Sequence, residues 1–156
     1  MMKTGNPCLA VAGCCSVAIA ALHTVIVIGG GDWYRFFGAG ESMAAMAENG
    51  SWVPMGITTA IILIFLVFGL YAFSGAGYVR RLPFTRAALV MISCVYLTRG
   101  IGSIPMIVFV EHPYLEEMNT RILFVFVSSV LSLAIGVLYG IGTLALWTMG
   151  EQKKGQ

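Results

Sequence analysis

Leu89-Val90-Met91-Ile92-Ser93-Cys94-Val95-Tyr96-Leu97-Thr98-Arg99-Gly100-Ile101-Gly102-Ser103-Ile104-Pro105-Met106-Ile107-Val108-Phe109-Val110 is the stretch that decides the fold. It exceeds the roughly 20 apolar residues that a membrane-spanning helix needs, yet it carries an arginine near its middle. A guanidinium inside hydrocarbon costs from about 2.5 kcal/mol upward, so Arg99 needs a partner, water or a route to the headgroups. Gly100, Gly102 and Pro105 then predict a helix that loosens just beyond the charge.

The rest of the chain agrees with a membrane reading. Of 156 residues, 58% are hydrophobic and 10% charged, whereas soluble domains average about 45–50% apolar and about 25% charged. Apolar runs at 8–28, 54–74, 87–110 and 122–149 predict four transmembrane helices in one domain spanning 1–156. The expected fold class is therefore an all-α integral membrane protein, a four-transmembrane-helix bundle. Gly29-Gly30-Gly31-Asp32 closes the first run, and Pro54 suits the first turn of the second. The first run continues to Ile28, which fits a retained span better than a cleaved export signal.

Four spans place both termini on one side. Lys3, Arg80, Arg81, Arg86, Lys153 and Lys154 lie on that side, and the other side has Arg35 and Arg121 against Asp32, Glu41, Glu48, Glu111, Glu116 and Glu117. The positive-inside rule makes the first side cytoplasmic and points to a bacterial inner membrane. The basic loop 75–86 also suits anionic lipid, although orientation alone explains it.

Loop 29–53 is not featureless. Trp33, Phe36, Phe37, Gly40, Met43, Ala44 and Ala47 recur at helical spacing, so an amphipathic interfacial helix is expected over 33–48. In the last span Ser128, Ser132, Gly136 and Gly140 repeat every four residues, a stripe that lets helices approach closely. Ala10, Cys14 and Ala18 offer a weaker stripe on the first span. Such stripes serve packing within the bundle or assembly into an oligomer.

Helical rise allows depths to be compared. Arg99 follows Arg86 by thirteen residues, about 20 Å along the axis, which places it in the outer half of the bilayer. His23, Thr24, Thr58, Thr59, Ser103, Ser128 and Ser129 fall at similar depth, and Tyr96 shares a helical face with Arg99. These residues define an expected polar layer around Arg99 that opens outward, with Glu41 or a lipid phosphate as the partner of the guanidinium. The alternative is that Arg99 snorkels to the headgroups and only anchors its helix.

No catalytic constellation emerges. Small membrane enzymes use several intramembrane arginines with Asn and Glu, or paired cysteines facing outward, and neither set is present. Cys8, Cys14, Cys15 and Cys94 form no C-x-x-C pair and read as packing residues. His23 would need a second ligand to hold haem or a metal, and His112 lies at another level, so no cofactor is expected. The basic residues are too few for nucleic acid. The sequence favours a non-enzymatic component that binds membrane lipids and assembles as a homo-oligomer or within a larger membrane complex. A carrier of a lipophilic or anionic small molecule at the Arg99 layer is the second reading, and a membrane enzyme the third.

Overall fold

The computed structural model describes the backbone of residues 5–109 and 115–152 and the side chains of residues 5–102 and 123–148. Among the described residues six helices follow one another: α1 Pro7–Gly29, α2 Gly31–Phe36, α3 Glu41–Glu48, α4 Val53–Ala76, α5 Thr85–Phe109 and α6 Leu115–Gln152. Three stretches of these residues, Pro7–Gly29, Val53–Ala76 and Leu123–Thr148, are long and apolar enough to cross a membrane. The chain is thus an all-helical protein with the character of a membrane protein.

Local chemistry sets the helix ends. Asn6 caps α1 by accepting the Leu9 amide at 3.3 Å, and Pro7 occupies the first turn, where its missing N–H costs nothing. Gly77 ends α4 in the left-handed conformation (φ 88°), with the Tyr78 amide returning to the Phe73 carbonyl at 3.0 Å. The α5 helix runs unbroken through Pro105 to Phe109, where the sequence led us to expect loosening. A proline forfeits one backbone hydrogen bond and membrane helices tolerate it, so the Gly-Gly-Pro signal overstated the break.

The first loop also departs from expectation. The amphipathic stretch 33–48 is two short helices, because the chain turns at Phe37–Gly40 with Gly38 and Gly40 at φ 75° and 93°. Tyr34 of α2 and Ala44 of α3 are buried together with Ile26 of α1, so the pair folds onto the end of α1.

The long helices pack as two close pairs, α1 with α4 and α5 with α6. At the first crossing a Cβ on Gly69 would lie 3.3 Å from the Gly13 carbonyl oxygen, so glycine permits the approach. The buried stripe of α1 is Leu9, Ala12, Gly13, Ser16 and Ala20, whereas Cys14 and Ala18 of the expected stripe are exposed. At the second crossing a Cβ on Gly136 would lie 3.1 Å from the Leu97 nitrogen, and the Ser93 hydroxyl donates to the Gly136 carbonyl at 2.8 Å. The glycine stripe of α6 is therefore used inside the chain, against α5.

One end of the molecule gathers the start of α1, the end of α4, the start of α5 and the later part of α6. Buried Asn6 ties them, its amide N–H2 donating to the Gly142 carbonyl at 2.7 Å and its backbone N–H to the Ala76 carbonyl at 3.3 Å. The α2–α3 pair covers the opposite end, where Phe37 meets Phe124 of α6 edge-on.

Candidate functional site

Three groups of polar side chains organise the molecule, and each sits at a different level. The middle one joins the two helix pairs. Ser16 of α1, with no exposed surface, lies 3.0 Å from the Tyr96 hydroxyl of α5 and 2.8 Å from the Tyr139 hydroxyl of α6. Tyr139 donates to the Phe68 carbonyl of α4 at 3.0 Å. One consistent ordering of protons runs Tyr96 to Ser16 to Tyr139 to Phe68, with the Ala12 carbonyl 3.1 Å from the Ser16 oxygen as a shared acceptor.

This hydrogen-bonded chain touches all four long helices. Its hydroxyls are buried away from water, so each link is harder to break than on a wet surface. Around it Phe65 and Phe68 pack against Tyr96, and Tyr96 stacks on Tyr139 with ring centroids 5.7 Å apart. The chain ends on a backbone carbonyl and includes neither carboxylate nor imidazole. Its chemistry is that of a register pin rather than an acid–base pair.

The second group lies in the first loop. Arg35 of α2 holds Glu41 through two N–H···O bonds of 2.8 Å each, Glu48 through a second fork, and Asp32 at 3.3 Å. The Glu41 and Glu48 hydrogen bonds raise the Arg35 pKa, and the Arg35 hydrogen bond holds the Glu48 carboxyl below the usual carboxylate range. Beneath this cluster the Thr58 hydroxyl donates to the Pro54 carbonyl at 2.8 Å, so its oxygen receives the Tyr34 O–H at 3.0 Å.

The third group lies between α4 and α5 at the other end. Ser74 donates to the Arg80 carbonyl at 3.1 Å and accepts the Leu82 amide at 2.9 Å, while Thr85 donates to the Leu82 carbonyl at 2.6 Å. These bonds shape a cleft of about 420 Å³ walled by the loop, the first turn of α5 and Leu146.

The expected polar layer is distributed among these places. Thr58 belongs to the Tyr34 contact and Tyr96 to the central chain. His23 is half-buried, its Nδ1 2.8 Å from the Ile19 carbonyl and its ring against Phe65. Thr59 is exposed and bonds the Met55 carbonyl, and Ser128 bonds the Val125 carbonyl of its own helix. Ser132 bonds the Ser128 carbonyl, while Gly136 and Gly140 face α5. Glu41 grips Arg35, a pairing the sequence did not suggest. Arg99 is exposed on α5, and the Ser103 side chain falls outside the described residues.

Sequence reasoning missed Ser16, Tyr139 and Asn6. Only Asn6 carried a readable signal, as a cap residue directly before proline. All four cysteines are free, with Cys14 and Cys94 exposed rather than packed inside. Among the described residues no three His, Cys, Asp or Glu side chains are grouped for a metal ion. The chain matches no family model, no curated protein and no solved structure.

Proposed function

We propose that this chain is a four-span membrane protein, with α5 as the fourth span, that serves as a non-enzymatic assembly component of a larger membrane complex. The observation that carries the reading is the exposed side of α5. Cys94, Thr98 and Gly102 repeat there every four residues beside exposed Arg99, and a Cβ on Gly102 would meet nothing within 4 Å. Small side chains permit close approach of another helix. Gly136 and Gly140 of α6 are consumed by α5, which leaves the opposite side of α5 to a neighbour.

The partner we infer is a helix of another membrane protein, packed closely against this small-residue side of α5. The basic residues at the end bearing Arg80, Arg81 and Arg86 support a cytoplasmic position for that end and for both termini, in a bacterial inner membrane. The α2–α3 pair then rests at the outer interface as a two-part amphipathic cover.

Native mass spectrometry of the complex extracted in mild detergent tests the proposal. The mass should exceed that of one chain and include a second membrane protein. Thr98→Trp and Gly102→Ile should each release it. Gly102→Ile adds bulk where space is open, so the chain itself stays folded. A species of unchanged composition in both variants, or a lone chain from the native membrane, overturns the assignment.

A further inference from the structure

We propose that the cleft between the α4–α5 loop and α6 binds the phosphate of an anionic membrane lipid. This site is at the other end from Arg35 and does not depend on the assembly role of α5. Its volume, about 420 Å³, lies in the range of small-ligand pockets. Arg81 and Arg86 supply donors to it, Phe84, Leu82 and Leu146 supply apolar wall, and among the described residues the lining contains no carboxylate. Two guanidinium groups with no counter-charge among those residues are the donor set that phosphate oxygens accept from.

The walls are fixed before any ligand arrives. Ser74 clamps the loop at both Arg80 and Leu82, and Thr85 closes back on Leu82. One edge of the Arg86 guanidinium reaches the Leu146 carbonyl at 3.5 Å, which orients it across the cleft and leaves further N–H groups to donate. Among the described residues no carboxylate lies within ion-pair distance of Arg80, Arg81 or Arg86.

Phe84 identifies the source of the phosphate. It is the one non-glycine among the described residues with positive φ (54°), a conformation that costs roughly 1–2 kcal/mol, and its ring is 86% exposed. The strained turn holds an aromatic ring outward where the apolar helices end. Tyr78 in the same loop and Trp147 next to Leu146 are also exposed, 70% and 47%. Aromatic rings at this level sit among lipid headgroups, so the phosphate is expected to arrive on a lipid whose chains lie along α4 and α6.

The experiment is native mass spectrometry of the full chain in detergent, titrated in parallel with phosphatidylglycerol, phosphatidylcholine and inorganic phosphate. The wild type should retain phosphatidylglycerol over phosphatidylcholine by at least about tenfold, because the choline cation offsets the phosphate charge beside two guanidinium groups. Arg81→Gln with Arg86→Gln should bring the two lipids near parity, with the helical circular dichroism unchanged. In detergent no leaflet asymmetry acts, so loss of the preference reports binding and not a mere orientation signal. Equal retention of both lipids by the wild type overturns the proposal, as does an undiminished preference in the double variant. Displacement of the lipid by millimolar inorganic phosphate assigns the site to free phosphate and overturns the lipid assignment.

Discussion

The two ends of this molecule treat arginine in opposite ways. At the α2–α3 end three carboxylates, Asp32, Glu41 and Glu48, converge on Arg35. At the other end Arg80, Arg81 and Arg86 are exposed, while the polar work between elements is done by neutral groups, Asn6 and Ser74. Charge closes one end upon itself and is turned outward at the other. A folded chain can neutralise a cation internally, which fixes a loop, or leave it for an anion outside, which makes a site. The same residue type thus has a structural use at one end and, on the proposal above, a binding use at the other.

The largest effect is expected where neutral hydrogen bonds carry the load. Asn6→Ala removes both the α1 cap and the side-chain tie between the start of α1 and the Gly142 carbonyl of α6. A lost cap and a lost buried hydrogen bond together should cost about 2 kcal/mol, read as a lower thermal midpoint in detergent. An unchanged midpoint would mean that the arginine-bearing end is held by something other than this amide.

Tyr34→Phe is the matching cut at the opposite end. It deletes the O–H that Thr58 accepts, while the Thr58 bond to the Pro54 carbonyl persists. The expected cost is about 1 kcal/mol, with faster amide exchange confined to α2 and α3. Exchange that quickens equally at Asn6 and in α2 would show that the ends are not independent.

Phe84→Gly should act in the other direction. Glycine adopts φ 54° without strain, so the thermal midpoint should rise slightly or hold, even as the aromatic rim of the cleft is lost. A marked fall would show that the ring supports the fold, which contradicts its 86% exposure.

Much of this architecture was legible in the residues, for a definite reason. Span length is written in unbroken apolarity, so 8–28 and 54–74 lie within two residues of Pro7–Gly29 and Val53–Ala76. The register of contacts is not written there. In a helix apolar on every side, Ala12-Gly13-Ser16 and Ala10-Cys14-Ala18 are equivalent stripes until a partner chooses between them. Ser16 and Tyr139 look like ordinary span residues, and only the meeting of four helices makes them one hydrogen-bonded chain. The break at Phe37–Gly40 was hidden because the aromatic spacing runs on across the turn. Arg99 announced itself as a charge in hydrocarbon, but the sequence could not say that its helix would present it outward.

The smallest effect, and the sharpest test of the contrast between the ends, is the response to acid and salt. Glu48 has its carboxyl pKa lowered by Arg35, so the stabilisation it lends is complete above the usual glutamate value near 4.3. It fades as pH falls through the depressed folded value, because the unfolded segment then binds the proton more readily. Amide exchange in α2–α3, corrected for its intrinsic pH dependence, should therefore quicken below about pH 4 and hold steady from pH 5 to 7. Screening by 1 M salt should loosen the same segment and leave the Asn6 end untouched, since exposed ion pairs weaken with ionic strength and buried amides do not. The Glu48→Gln variant should flatten the acid response. If that variant still loosens below pH 4, Glu41 carries the cluster by itself, and the closure of this end rests on a single fork.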